Sequence, residues 1–222
     1  MCYYRGPNDN IQSYPLLFIS DCLTHETVSV YAFQSVLIQR LKEKFNEEKL
    51  TLTQILYHTD GCSRQYKNKK NFLNLTYHQA DFGIPGSWSF SATSHGKGPW
   101  DGIAGCAKRE AALESLRHPL DNQIQTATDF FTFVKEKFRQ IRVEFVSSKF
   151  IEELEINVLV ERFKNAKTIP GTLGYHSFST IPGNNQQVKV KKYSLSTTEK
   201  TVSIIKGRRS VGGRGSRKRG GE

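Results

Sequence analysis

The chain has 222 residues, 37% hydrophobic and 11% aromatic, enough to bury a core and to form one large domain or one domain with an appendage. Its formal charge of +11 favours an anionic partner, nucleic acid first. It contains no apolar run of about eighteen residues, so no membrane-spanning helix is expected. The N-terminal MCYYRGPND lacks the apolar segment of a signal peptide, so a nuclear or cytoplasmic location is expected rather than secretion. Cys2, Cys22, Cys62 and Cys106 are scattered without C-x-x-C spacing, which argues against a zinc site and a disulfide framework. Asn74-Leu75-Thr76 matches the glycosylation sequon, which a chain kept in the nucleus or cytosol would not use.

Residues 2–5 read as a short strand ended by Gly6-Pro7-Asn8-Asp9. Leu16-Leu17-Phe18-Ile19 is a continuous apolar run, the mark of a buried strand. Thr24 is the expected cap of a helix running to about Lys44, carried by Val28, Tyr31, Val36, Leu37 and Leu41. Residues 52–59 read as the next strand, so residues 16–59 form a β-α-β unit with parallel strands. A second helix is expected over 68–80 and a half-exposed strand over 88–93. Helices follow over 101–116, 122–139 and 149–164, with a strand over 142–147 between the last two. Pro170-Gly171 marks a break, and residues 188–195 alternate as a strand. From Lys206 the chain reads KGRRSVGGRGSRKR, a basic arm without apolar period that reads as disordered; nuclear import, loose phosphate binding and a solvated tail are all open to it.

Two dense polar motifs carry the candidate chemistry. Asp60 ends an apolar strand, and Asp101 starts a helix after the following strand. In parallel α/β sheets the ligand crevice lies at the carboxyl ends of the strands, so both carboxylates could converge there. Hard oxygen ligands suit Mg²⁺ or Mn²⁺, and two such ions can drive phosphoryl displacement. The plainer reading makes Asp60 the start of an Asp-Gly turn and Asp101 a helix cap. Arg64, Gln65, Lys67, Asn68 and Lys69 follow Asp60, and His95 and Lys97 flank glycines in the second motif; such residues contact phosphates and sugars. The spacing of Gly96-Lys97-Gly98-Pro99 is not that of a Walker A loop. Asp21 and His25 form either a cap with a surface histidine or a metal pair. Glu110 is the reserve third carboxylate, and it and Glu114 are otherwise surface charges.

The runs H-T-D-G-C-S-R-Q-Y-K-N-K and A-T-S-H-G-K-G-P-W-D-G-I-A-G-C-A-K-R resemble those of transposon-derived animal proteins with an RNase H-like transposase core. F-I-S-D-C-L-T-H-E-T and I-P-G-T-L-G-Y-H-S-F resemble the same family, so the likeness spans roughly residues 16–195. The chain departs from it at Trp100, where a small residue is usual, and at Ala104, where glycine is usual. The resemblance implies an α/β, RNase H-like mixed sheet with flanking helices and three acidic ligands, on the first strand, on the fourth strand and on a helix after the fifth. Asp60 matches the fourth-strand acid and Asp101 the helix acid; no strand here matches the first. The expectation is therefore a partial core over 1–140 that lacks its first strand, a small C-terminal extension over 141–205 and a basic tail over 206–222. The implied ancestral activity is metal-dependent DNA cleavage and strand transfer, defective in this copy. A non-catalytic nucleic-acid-binding protein is the alternative.

Overall fold

The chain opens with two short strands, β1 (Cys2–Arg5) and β2 (Ile11–Tyr14), paired as an antiparallel hairpin. Pro15 then switches the chain from one sheet to another. It has no N–H to offer a ladder, but its carbonyl accepts from Arg142 N at 3.0 Å. β3 (Leu16–Ile19) follows and pairs in parallel with β6 (Arg142–Phe145). The computed structural model describes residues 1–91, 98–119, 121 and 123–206, apart from the side chain of Trp100.

The fold is mixed α/β. Its largest sheet runs β4 (Ile55–Thr59), β5 (Gly86–Phe90), β7 (Ser177–Ile181), β8 (Asn184–Lys191) and β9 (Glu199–Ser203). β4 and β5 are parallel and the remaining pairs antiparallel. The expected parallel pairing across residues 16–59 does not form. α1 (Thr27–Glu47) does connect β3 to β4, but the two strands lie in different sheets, and the partner of β3 is β6. β6 completes one sheet and β7, β8 and β9 extend the other, so residues 141–205 are woven into the body of the fold rather than appended to it.

The sheet alternates inward and outward, as strand geometry requires. Trp88, Phe90, Phe178, Val188 and Val190 are buried on one face, against Phe72, Leu73 and Leu75 of α2 (Lys69–Phe82). Phe72 stacks on Phe178 with ring centroids 4.1 Å apart. Each such ring contributes on the order of 1.5–3 kcal/mol through burial. The other face is polar: Ser87 registers with Ser179, and Ser89 with Ser177. β4 is the outer strand of this sheet and β1 the outer strand of the hairpin, and neither outer edge pairs with a described strand. Both strands feed one apolar cluster, Cys2 and Tyr14 joining Ile38, Leu41, Ile55 and Tyr57.

Local departures from the sequence reading have local causes. α1 starts at Thr27, and Thr24 is not its cap; Glu26 holds that position without a side-chain bond. The Thr24 carbonyl instead accepts from Ser29 Oγ, while Thr27 Oγ1 donates to Gln65 O. The helix expected over 122–139 is the shorter α4 (Ala127–Lys137), capped by Thr126 and Asp129. The helix expected over 149–164 is α5 (Ser148–Leu154), a π-helical turn (Glu155–Leu159) and α6 (Val160–Lys164). The wide turn rephases the helix so that Ile151 and Leu159 both reach Val28 and Ala32 of α1. β2, β7 and β9 were not foreseen in the sequence.

His78 pins α2 to the sheet from within the core. It is 1% exposed; Nδ1 donates to Ile84 O, so Nε2 accepts from Tyr57 OH at 2.9 Å. A Cβ on Gly86 would lie 2.9 Å from this ring, which is why the strand starts with glycine. Burial holds the His78 pKa below its ordinary value. A base with a lowered folded pKa contributes stability that is whole above its unfolded pKa of about 6.5 and is lost as pH falls through that value. Urea denaturation should therefore show a steeper loss of stability between about pH 7 and 5 in the wild type than in His78→Gln; equal slopes would contradict this role.

Candidate functional site

The parallel pairing of β4 and β5 sets Thr59 opposite Phe90, so both polar motifs leave the sheet at the same end. The exit is tied together. Ser91 N donates to Thr59 O at 2.9 Å, and Ser91 Oγ lies 2.9 Å from His58 Nε2. Trp88 Nε1 donates to Thr59 Oγ1 at 2.8 Å, and that hydroxyl donates to Asp60 O. The chain direction entering the Asp60 loop is thus fixed by side chains of both strands.

Asp60 is exposed, and its Oδ1 accepts from Cys62 N at 3.1 Å, an Asx-type turn. Its charge, after burial, raises the pKa of Tyr66. In the second motif, residues 92–97, with His95 and Lys97, lie outside the described residues. Asp101 occupies the third position of α3 (Pro99–Leu116), not the cap, which is Gly98; its Oδ2 accepts from Gly98 N at 2.9 Å. α3 packs through Ala107 on Val134 of α4 and on Ile19 and Val143 of the β3–β6 sheet.

With one oxygen each, Asp60 therefore does the local work that the plainer reading assigns it, and Asp101 bonds back to the cap from the third helical position instead of being the cap. The other oxygen of each makes no hydrogen bond among the described residues. Hard oxygens left over in this way are of the type that Mg²⁺ or Mn²⁺ prefers. Among the described residues no group of three or more His, Cys, Asp or Glu gathers for a metal. Glu110 is drawn to Lys137 at 3.5 Å and to Arg109, and Glu114 to Arg117 and His118, which engages the reserve carboxylates elsewhere. Asp21 does not pair with His25; it caps the start of α5, accepting from Ser148 N at 2.6 Å.

The residues after Asp60 divide into two groups. Arg64 and Lys69 are exposed, Arg64 reaching Glu26 only at 3.4 Å, and they remain free to meet phosphates. Gln65 is half-buried, its carbonyl held by Thr27. Lys67 and Asn68, expected among the phosphate contacts, face the protein instead. Lys67 is 8% exposed; its Nζ donates to Leu173 O at 3.2 Å and lies 5.5 Å from the centre of the Phe90 ring. Burial lowers its pKa. Leu173 belongs to the I-P-G-T-L-G-Y-H-S-F run, so this lysine joins two separate runs of the sequence.

Asn68 is the hub of the loop. Its Oδ1 accepts from Lys70 N and Asn71 N, both at 3.0 Å, capping α2. Its Nδ2 donates to Thr27 Oγ1 at 2.8 Å and to Ser63 O at 2.9 Å. One amide thus starts a helix, closes the turn before it and ties both to α1. Nothing in the bare sequence separates Asn68 from its lysine neighbours except its fitness as a helix cap.

The chain belongs to a family described as a domain of unknown function (DUF8701), whose model matches residues 1–194. No curated protein and no solved structure matches it.

Asn68→Ala should lower unfolding stability by about 1–2 kcal/mol, the usual cost of a lost cap with its side-chain network. It should also speed tryptic cleavage after Arg64, while Asn68→Asp, which keeps the acceptor, recovers part of the stability. Unchanged stability and unchanged cleavage would contradict the role given to Asn68.

Proposed function

We propose that this member of the DUF8701 family is a transposase-derived protein with an RNase H-like core. Its ancestral chemistry is metal-dependent DNA cleavage and strand transfer, and this copy chiefly binds nucleic acid. The observation that carries the reading is the parallel β4–β5 pair, which releases the Asp60 motif and the motif leading to Asp101 at one end of the sheet. That end is where parallel sheets hold their ligands. The outer edges of β4 and β1, which pair with no described strand and lie over one shared apolar cluster, also fit the place where the resemblance sets the first strand.

Asp60 and Asp101 would hold the divalent ion, each through the oxygen not used in its turn or cap. Such an ion, when bound, neutralises charge that develops on a phosphodiester. Around it, Arg64 and Lys69 would hold the strand by its phosphates, and Lys67 and Asn68 would keep their loop in shape. The two aspartates match two of the three acids that the resemblance implies. DNA as partner and the nucleus as location belong to the same proposal and draw on the basic run after Lys206.

Fluorescence anisotropy on a labelled duplex across a salt series tests the binding half. Replacing Arg64 and Lys69 by alanine should reduce the slope of log K against log salt by about 1.8, since each phosphate contact contributes about 0.9. Lys67→Met should leave that slope unchanged. A slope insensitive to Arg64 and Lys69 would remove this loop from the interface. Mg²⁺-dependent cleavage that vanishes in Asp60→Ala would show a complete enzyme instead of a binder.

A further inference from the structure

A second concavity, built from none of the Asp60 or Asp101 motif residues, lies where α2, the π-helical turn, α6 and β8 meet. Its volume is ≈ 620 Å³, within the range of small-molecule sites. Leu73, Val158 and Ile205 give it apolar walls. Val158 reaches it from the π-helical turn, a rare backbone form found often at functional sites.

Its polar lining is unusual in what it leaves unused. Asn165, Asn185 and Gln186 line the cavity, and their side-chain amides make no hydrogen bond among the described residues. Each offers paired donors and an acceptor in one plane. Arg162 is a fixed wall rather than a free cation: it forks onto Asp81 at 2.7 and 2.8 Å and lies over the Tyr77 ring at 4.2 Å. It also donates to Asn74 Oδ1, and the Nδ2 of that buried amide has no partner. The Glu161 carboxylate is held by Lys164. Lys206, also in the lining, is exposed; its Nζ donates to Lys164 O at 3.3 Å, and its backbone N donates to Asn165 O.

We propose that this cavity is a nucleotide site. A nucleobase offers flat apolar faces to Leu73, Val158 and Ile205, and a donor–acceptor edge to side-chain amides, the groups that pair bidentately with adenine. Its phosphate is the charge complement of Lys206. Inorganic phosphate would leave the apolar walls and the amides unused, and a hydrocarbon ligand would strand the three amides without partners. The same chemistry is presented by a free nucleotide and by one unit of a single-stranded DNA.

Calorimetric titration of the full chain decides it, with the four 2′-deoxynucleoside 5′-monophosphates, inorganic phosphate and a single-stranded octanucleotide as probes. At least one monophosphate should bind about tenfold or more tightly than inorganic phosphate. The exposed double change Asn165→Ala with Gln186→Ala should weaken that nucleotide about tenfold, the effect of two neutral hydrogen bonds, and leave phosphate unchanged. Lys206→Ala should weaken the same nucleotide on its own, which keeps the test valid if the double variant misfolds. Displacement of the nucleotide by the octanucleotide assigns the site to DNA; failure to displace it assigns the site to free nucleotides. Nucleotides that bind no better than phosphate, or equally well in the variants, overturn the proposal. Neither result bears on cleavage or on Arg64 and Lys69, so the reading of the Asp60 loop stands or falls separately.

Discussion

The side-chain amide of Asn68 is the constraint on which the candidate site depends. An exposed loop between a strand and a helix would ordinarily be free to move. Here its far end is fixed, because the amide that caps α2 also donates to Thr27 of α1 and closes the turn at Ser63. Its near end is fixed by Trp88 through the Thr59 hydroxyl. Lys67 adds a third tie, to the turn containing Leu173. Asp60 is thus carried on a short arc held at both ends, while its carboxylate stays exposed. An exposed carboxylate needs such support to keep a fixed position, since water rather than burial surrounds it.

The topology gives this loop its setting. Because β4 pairs with β5 rather than with β3, the two polar motifs leave from neighbouring parallel strands. The β3–β6 sheet forms a separate layer under α3 and α4, so Asp101 rides on a helix anchored there through Ala107. The large sheet is covered by α2 on one face and polar on the other, a division common where antiparallel strands dominate.

Where local chemistry decides the structure, the sequence was legible. The apolar run of β3 and the alternation of Trp88 and Phe90 announce their elements, whereas Asn68, read as a phosphate contact, is the cap of α2. β2, β7 and β9 escape the sequence reading because Ile11-Gln12-Ser13-Tyr14, Ser177-Phe178-Ser179 and Glu199-Lys200 are short and polar; β2 and β9 form by pairing with the strand just before them, and β7 by pairing with β5, far back in the chain. For β3, adjacency in sequence suggests β4 as the partner, whereas β6, a short strand of alternating charged and apolar residues far along the chain, takes the place. Within the site, the Asp60 turn is legible in the sequence, whereas Asp101, read as a cap, sits two residues inside the helix and bonds back to the Gly98 cap. The burial of Lys67 was not, since a lysine in an Arg-Gln-Tyr-Lys-Asn-Lys run looks solvated until the Phe90 ring and the Leu173 carbonyl are brought to it.

The central claim is that the Asp60 and Asp101 carboxylates, released at one end of two parallel strands, address the same ion. Electron paramagnetic resonance of free Mn²⁺, titrated into the full chain, measures this without requiring turnover. The account predicts that Asp60→Asn and Asp101→Asn each weaken one and the same Mn²⁺ site by about tenfold or more, with the double change costing less than the sum of the two, as coupled ligands do. Mn²⁺ binding indifferent to either substitution, or two losses that simply add, would contradict it.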